Sequence, residues 1–236
     1  MAPLIISIEG NIGSGKSTFV SYLQRTMKNV VFLQEPVDEW NDIKDKEDET
    51  ILAKFYKNQE KYSFAFQMMA YISRLALLKK TVEENPDAVI ITERCLDTDR
   101  QVFARMLYDQ EKIEEVEYQI YLKWFHSFQK EYPITIHVYL KTSPKIAHER
   151  VLKRGRPGET IPLAYLSECH DYHEKWLCNY AQVNVNAKTT ATGKTSTIFT
   201  IDANEDEGHM EEWGQSVNLL IQENKKSNGN VYSHYG

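Results

Sequence analysis

Short apolar runs alternate along the chain with longer stretches in which apolar and charged residues recur at helical spacing. The runs at 4–9, 30–34, 87–92, 134–141 and 196–201 read as strands. The stretches at 15–28, 50–82, 97–109, 111–131, 144–154, 163–182 and 208–224 read as helices, with a break expected near Asn58. Strands separated by helices predict an α/β protein with a parallel sheet. Residues 155–162, Gly-Arg-Pro-Gly-Glu-Thr-Ile-Pro, carry too many breakers for regular structure. The polar, Thr-rich residues 184–195 suggest a flexible insertion before the last strand, and the tail at 222–236 is expected to fray. No internal repeat or linker divides the chain, so residues 1–236 are read as one domain.

A length of 236 residues suits one α/β domain with a substantial core. The formal charge of −6 argues against a partner that is a nucleic-acid polymer, which a basic surface would serve better. Cys95, Cys169 and Cys178 are not at metal-ligand spacing and read as reduced thiols. The first strand starts so close to Met1 that no removable targeting segment is expected. No apolar run approaches the roughly 20 residues that span a bilayer. A soluble cytoplasmic protein without a membrane partner is therefore expected.

Candidate chemistry begins at Gly10-Asn11-Ile12-Gly13-Ser14-Gly15-Lys16-Ser17, followed by Thr18, which matches G-x-x-x-x-G-K-[ST] between a strand and a helix. Glycines there let backbone N–H groups turn inward around phosphate oxygens, and the helix N-terminus adds partial positive charge. Lys16 can reach terminal phosphates and the Ser17 hydroxyl can ligate Mg²⁺. This loop implies a nucleoside triphosphate donor and leaves the acceptor open. Two further strands run into Glu35-Pro36-Val37 and Glu93-Arg94-Cys95, where an open α/β sheet places its ligands. A carboxylate there can take a hydroxyl proton and an arginine can hold a phosphate. Each is equally readable as a surface charge capping a helix.

These motifs, with Trp40, Tyr62-Ser63-Phe64-Ala65-Phe66-Gln67, Asp99-Arg100, Tyr139-Leu140-Lys141-Thr142, Arg154-Gly155-Arg156, Ile161-Pro162-Leu163, His173-Glu174-Lys175-Trp176-Leu177 and Asp202-Ala203-Asn204-Glu205-Asp206, occur in order. Together they resemble the deoxynucleoside kinase family of animals and their viruses, above all its deoxycytidine and deoxyguanosine kinase branch. The resemblance implies a three-layer α/β/α P-loop fold with a five-stranded parallel sheet and an arginine lid near 150–160. It implies phosphorylation of a deoxynucleoside 5′-hydroxyl by ATP with Mg²⁺, and a homodimer for which helices at 64–80 and 111–128 are apolar enough.

Roles follow by resemblance. Glu35 would be the general base, Arg94 would lie near the transferred phosphate, and Glu93 with Ser17 near the metal. Gln67 would bond the base edge, as an amide is suited to do. Trp40, Phe66 and Phe103 would wall the base, where stacking contributes about 1–3 kcal/mol, although without the resemblance core packing is the better explanation of such aromatics. Tyr56 and Glu159 would bind the sugar 3′-hydroxyl, Glu159 in a lid one residue shorter than the family's form. Arg150, Arg154 and Arg156 would close over the ATP phosphates, and Glu205 and Asp206 would contact the donor adenine. Arg74 and Asp99 match a charged pair typical of the deoxycytidine and deoxyguanosine branch, which predicts those bases over thymine. Two other readings compete. A thymidylate kinase-type enzyme would carry an arginine where Gln34 stands. A P-loop switch without transfer activity would not need Glu35, Gln67 and Arg94 together.

Overall fold

A computed structural model describes residues 3–156, 159–178, 188–189, 195–205 and 207–230. The strands are β1 (Leu4–Glu9), β2 (Val30–Leu33), β3 (Val89–Glu93), β4 (Ile136–Lys141), β5 (Lys188–Thr189) and β6 (Thr195–Asp202), in the sheet order β2-β3-β1-β4-β6-β5. The five strands expected from sequence run parallel. The two-residue β5 adds an antiparallel edge by folding back on the start of β6. It comes from the segment read as a flexible insertion, most of which lies outside the described residues. β1 is central, with Ile5, Ile6 and Ile8 buried on its two faces, as a doubly covered strand requires.

The principal helices are α1 (Lys16–Thr26), α2 (Val37–Asn41), α3 (Ile51–Lys57), α4 (Gln59–Glu84), α5 (Leu96–Thr98), α6 (Arg105–Asp109), α7 (Glu115–Phe128), α8 (Pro144–Arg154), α9 (Leu163–His173) and α10 (Met210–Asn230). They form two layers. On one side, α1 and α10 pack Phe19, Val20, Leu23, Val217 and Ile221 on the sheet; on the other, α3, α4, α7 and α9 supply Phe55, Tyr71, Phe125 and Leu166. The resulting three-layer α/β/α fold is the one expected. Among the described residues no helix is long and apolar enough to cross a membrane.

The predicted break at Asn58 has a local cause. Asn58 closes α3 in an extended conformation, and its side-chain oxygen accepts from Lys61 N–H at 3.1 Å, capping α4. The expected helix over 97–109 is interrupted by a π-helical stretch at Asp99–Ala104, and a second follows α9 at Glu174–Cys178. Such widened turns insert a residue and occur frequently at functional sites. Two differences from expectation stand out. The five-residue α2 is too short to give a periodic signal. The last helix, expected to end at 224, runs on as α10 to Asn230, and the rest of the expected frayed tail lies outside the described residues.

Candidate active site

The carboxyl ends of β1, β2 and β3 open into one cavity of about 680 Å³ that extends from the phosphate loop to an aromatic pocket. A volume of this size accommodates a small ligand. In the loop, Gly13 has φ 81°, and a Cβ there would sit 2.3 Å from the Ala147 carbonyl oxygen, so only glycine fits. Gly15, at the N-cap of α1 with φ 90°, has open space where a Cβ would stand, the clearance a phosphate needs to reach the backbone. Asn11 ties the loop to α9 through its amide, which donates to the Leu166 carbonyl at 2.8 Å. Ile12, Ser14 and Thr18 complete the wall around it.

Lys16 is buried, and its ammonium donates to the Asn11 carbonyl at 2.7 Å. Burial, reinforced by the nearby Arg94, brings its pKa down to about 7, with Glu93 and Glu35 opposing. The Ser17 hydroxyl donates to Glu93 Oε1 at 2.7 Å. This hydroxyl and carboxylate, side by side on the cavity wall, are the hard oxygen donors that Mg²⁺ prefers.

Glu35, just beyond β2, is clasped by two guanidinium groups. Arg94 Nη1 donates to its carboxylate oxygens at 2.8 and 2.6 Å, and Arg74 Nη2 donates to Oε1 at 2.9 Å. Burial works to raise the Glu35 pKa, but Arg94, Arg74 and Lys16 outweigh it and lower it to about 2. Arg94 is held in the left-handed region at φ 61°, a conformation that costs a non-glycine residue free energy and marks functional positions. Its guanidinium lies over the Phe103 ring at 5.1 Å. Arg74 is further occupied by Asp99, through Nε at 2.9 Å and Nη2 at 3.3 Å, and by the Glu93 carbonyl at 2.8 Å. Asp99 and Phe103 both sit on the first π-helical stretch.

The far end of the cavity is apolar. Phe66 stacks on Phe55 with centroids 4.6 Å apart and meets Trp40 edge-on at 5.6 Å, while the Trp40 indole donates to Ser73 at 2.9 Å. Gln67, itself buried, is among the residues that line the cavity, as is Asp99. Tyr56 lines the same cavity; burial, then the nearby Glu159 charge, pushes its phenol well above the usual range. At the mouth, Arg154 pairs with Glu159 and Arg156 lies 3.9 Å from the same carboxylate. Arg150 instead donates to the Ala203 and Glu205 carbonyls at 2.9 and 3.0 Å, holding the loop after β6. Asp206 lies outside the described residues.

The cavity therefore gathers the predicted residues other than Gly10, Asn11, Arg74 and Asp206 along its wall; Gly10 and Asn11 support the loop from beneath, and Arg74 backs Glu35 and Asp99. It also shows Leu52, Phe55 and Tyr165, which sequence reading passed over. Leu52, Phe55 and Tyr56 fall at i, i+3 and i+4 of α3, so the apolar stripe was visible but indistinguishable from a core face.

A triphosphate cradle that opens onto an enclosed acceptor pocket, with a carboxylate between two arginines at the junction, defines a P-loop phosphotransferase. The chain belongs to the deoxynucleoside kinase family, whose model matches residues 6–224. It is 33% identical to a deoxycytidine kinase of Homo sapiens over 226 residues, covering 85% of this chain and 84% of the relative. It is 38% identical over 176 residues to a probable deoxycytidine kinase of fowlpox virus (strain NVSL), covering 73% and 71%. A mitochondrial deoxyguanosine kinase of Xenopus laevis is 31% identical over 191 residues, covering 73% and 72%. The enzyme accordingly transfers a phosphoryl group from ATP, with Mg²⁺, to a deoxynucleoside, and the monophosphate-kinase reading is not favoured.

Proposed function

We propose that the enzyme acts on the 5′-hydroxyl of deoxycytidine or purine deoxynucleosides in preference to thymidine. The observation that carries this reading is the Arg74–Asp99 pair, fixed at 2.9 Å, whose Asp99 lines the same cavity as Gln67. Asp99 offers an acceptor to an exocyclic amine, and Gln67 offers both a donor and an acceptor. Phe66, Trp40 and Phe103 wall the base, and Phe55 backs Phe66. Tyr56 and Glu159 receive the sugar 3′-hydroxyl.

Glu35 is the proton acceptor. Its carboxylate stays ionised, and the incoming hydroxyl replaces part of its arginine contacts. So weak a base orients the hydroxyl and takes its proton late, as bonding to phosphorus makes it acidic, which suits the loose transition state of phosphoryl transfer. Arg94, released from Glu35, turns to the charge of the transferred group, with Lys16 and the lid residues Arg150, Arg154 and Arg156 around it. Ser17 and Glu93 would hold Mg²⁺, which when bound would supply positive charge to the donor phosphates. Glu205 and Asp206 border the donor base.

We further infer a single cytoplasmic domain that pairs as a homodimer. Ile72 on α4 and Val116, Ile120 and Trp124 on α7 are exposed apolar residues on the two helices expected to pair. The deciding assay offers ATP and Mg²⁺ with each of the four deoxynucleosides, their ribose counterparts and their monophosphates. Monophosphate formed fastest from deoxycytidine or a purine deoxynucleoside supports the reading; faster turnover of thymidine overturns it.

A further inference from the structure

Directly beneath the phosphate loop lies a polar cluster that the reaction does not use. Glu9 ends β1, His137 lies in β4, and Cys95 follows Arg94; all three are buried, and their ligand-capable atoms lie within 4.8 Å of one another. Glu9 is fully buried, and its Oε1 has no hydrogen-bond partner, while Oε2 accepts from the Thr98 hydroxyl at 2.5 Å. His137 Nδ1 stands 3.9 Å from that orphaned oxygen and 2.8 Å from the Ser7 hydroxyl. The Trp176 indole meets the His137 ring edge-on at 5.4 Å, and Thr98 Oγ1 lies 3.6 Å from Cys95 Sγ.

We propose that Glu9, Cys95 and His137 form a buried site for a borderline-soft divalent cation of the zinc class. The donor set is the first reason. One thiolate, one imidazole and one carboxylate suit Zn²⁺ and suit neither Mg²⁺ nor Ca²⁺, which take oxygen ligands. Charge is the second: a thiolate and a carboxylate cancel a divalent ion, so the filled site is neutral where an uncompensated charge would be costly. The third is the orphaned Glu9 Oε1, aimed into the cluster and satisfied by the ion. Binding releases the Cys95 thiol proton, and His137 Nδ1 exchanges its Ser7 contact for the metal. Ser7 Oγ then stands by as a fourth ligand. Ligands of a tetrahedral zinc lie roughly 3.5 Å apart, so the three side chains close by about 1 Å as the ion enters. Because Glu9 adjoins Gly10 and Cys95 adjoins Arg94, the ion clamps together the strand ends that carry the phosphate loop and the catalytic arginine.

The test uses the full chain expressed in Co²⁺-supplemented medium, so that it folds around the ion and access to the buried site is not limiting. The expected result is one equivalent of Co²⁺ per chain after desalting, with a thiolate-to-cobalt charge-transfer band in the near ultraviolet. The band should vanish in Cys95→Ser and persist in Cys169→Ser and Cys178→Ser. Cobalt held by Ser17 and Glu93 would lack sulfur and show no such band. Wild-type protein without the band overturns the proposal, as does a band that survives Cys95→Ser. Should Cys95→Ser fail to accumulate, loss of the band in His137→Phe replaces it, and the wild-type spectrum decides in any case.

Discussion

Two sets of arginines serve the cavity, one held behind and along its floor and one at its mouth, and they are held in opposite ways. At its floor, Arg74 and Arg94 are 4% and 5% exposed, and carboxylates fix both before any ligand arrives. At its mouth, the Arg154 and Arg156 side chains, at and just beyond the C-terminal end of α8, are 34% and 37% exposed and share the single Glu159. The floor is built for precision: its geometry is set by folding, and the ion pairs that set it are buried and therefore costly to break one member at a time. The mouth is less fixed: its guanidinium groups stand in partial solvent, although the Glu159 side chain they share is 4% exposed. On the proposed roles, acceptor recognition and chemistry would rest on preorganised charge, and donor enclosure on charge that is more exposed.

Four experiments test this contrast. The largest effect is expected at the floor in catalysis: Glu35→Gln should lower kcat by about 10²- to 10⁴-fold while ATP binding persists, measured by steady-state kinetics beside a nucleotide titration. Equal loss of ATP affinity would mean that Glu35 organises the whole cavity rather than the acceptor. Next comes the floor in stability. Arg74→Met leaves Asp99 buried without its partner and should cost about 3–5 kcal/mol in denaturant unfolding, whereas Arg74→Met with Asp99→Ala should recover most of it. The double variant should also lose its discrimination against thymidine.

A smaller effect concerns pH. Free Lys16, with a pKa near 7, is largely neutral at pH 8, and triphosphate charge must raise that pKa. The bound state then holds more protons than the free state, so ATP affinity should fall as pH rises from about 7 to 9, by at most about tenfold per unit. Calorimetry in buffers of different ionisation enthalpy should register proton uptake, absent in Lys16→Met. The mildest change is predicted at the mouth: Arg154→Ala should raise KM for ATP several-fold and cost clearly less stability than Arg74→Met, because its guanidinium is partly exposed. A large stability loss there would erase the distinction between floor and mouth.

Legibility in the sequence followed locality. The phosphate loop is contiguous, and its glycines, lysine and serine are set by one turn of chain, so residues 10–17 announced both their structure and their ligand. The break at Asn58 was legible for the same reason, since an asparagine cap acts three residues away. Phe55 and Tyr165 were not, because a pocket wall and a core face have the same helical period, and only the tertiary arrangement leaves space beside them. Glu9, Cys95 and His137 are farther still from legibility. They belong to three segments brought together by the order β3-β1-β4, and no spacing along the chain encodes that adjacency. The antiparallel β5 escaped because two polar residues carry no period at all.

The π-helical stretch at Asp99–Ala104 acts as a phase shift. One residue in a helix turns everything that follows by about 100°. Upstream of the stretch, Thr98 is locked to Glu9; within it, Asp99 meets Arg74; downstream, Met106 and Leu107 are wholly buried in the core. All three engagements hold at once only because the widened turn absorbs the mismatch between them. Chain length in this segment is consequently as constrained as residue type. Deleting a single residue between Arg100 and Ala104 would restore an ordinary helix and swing either Asp99 away from Arg74 or the core side chains out of register.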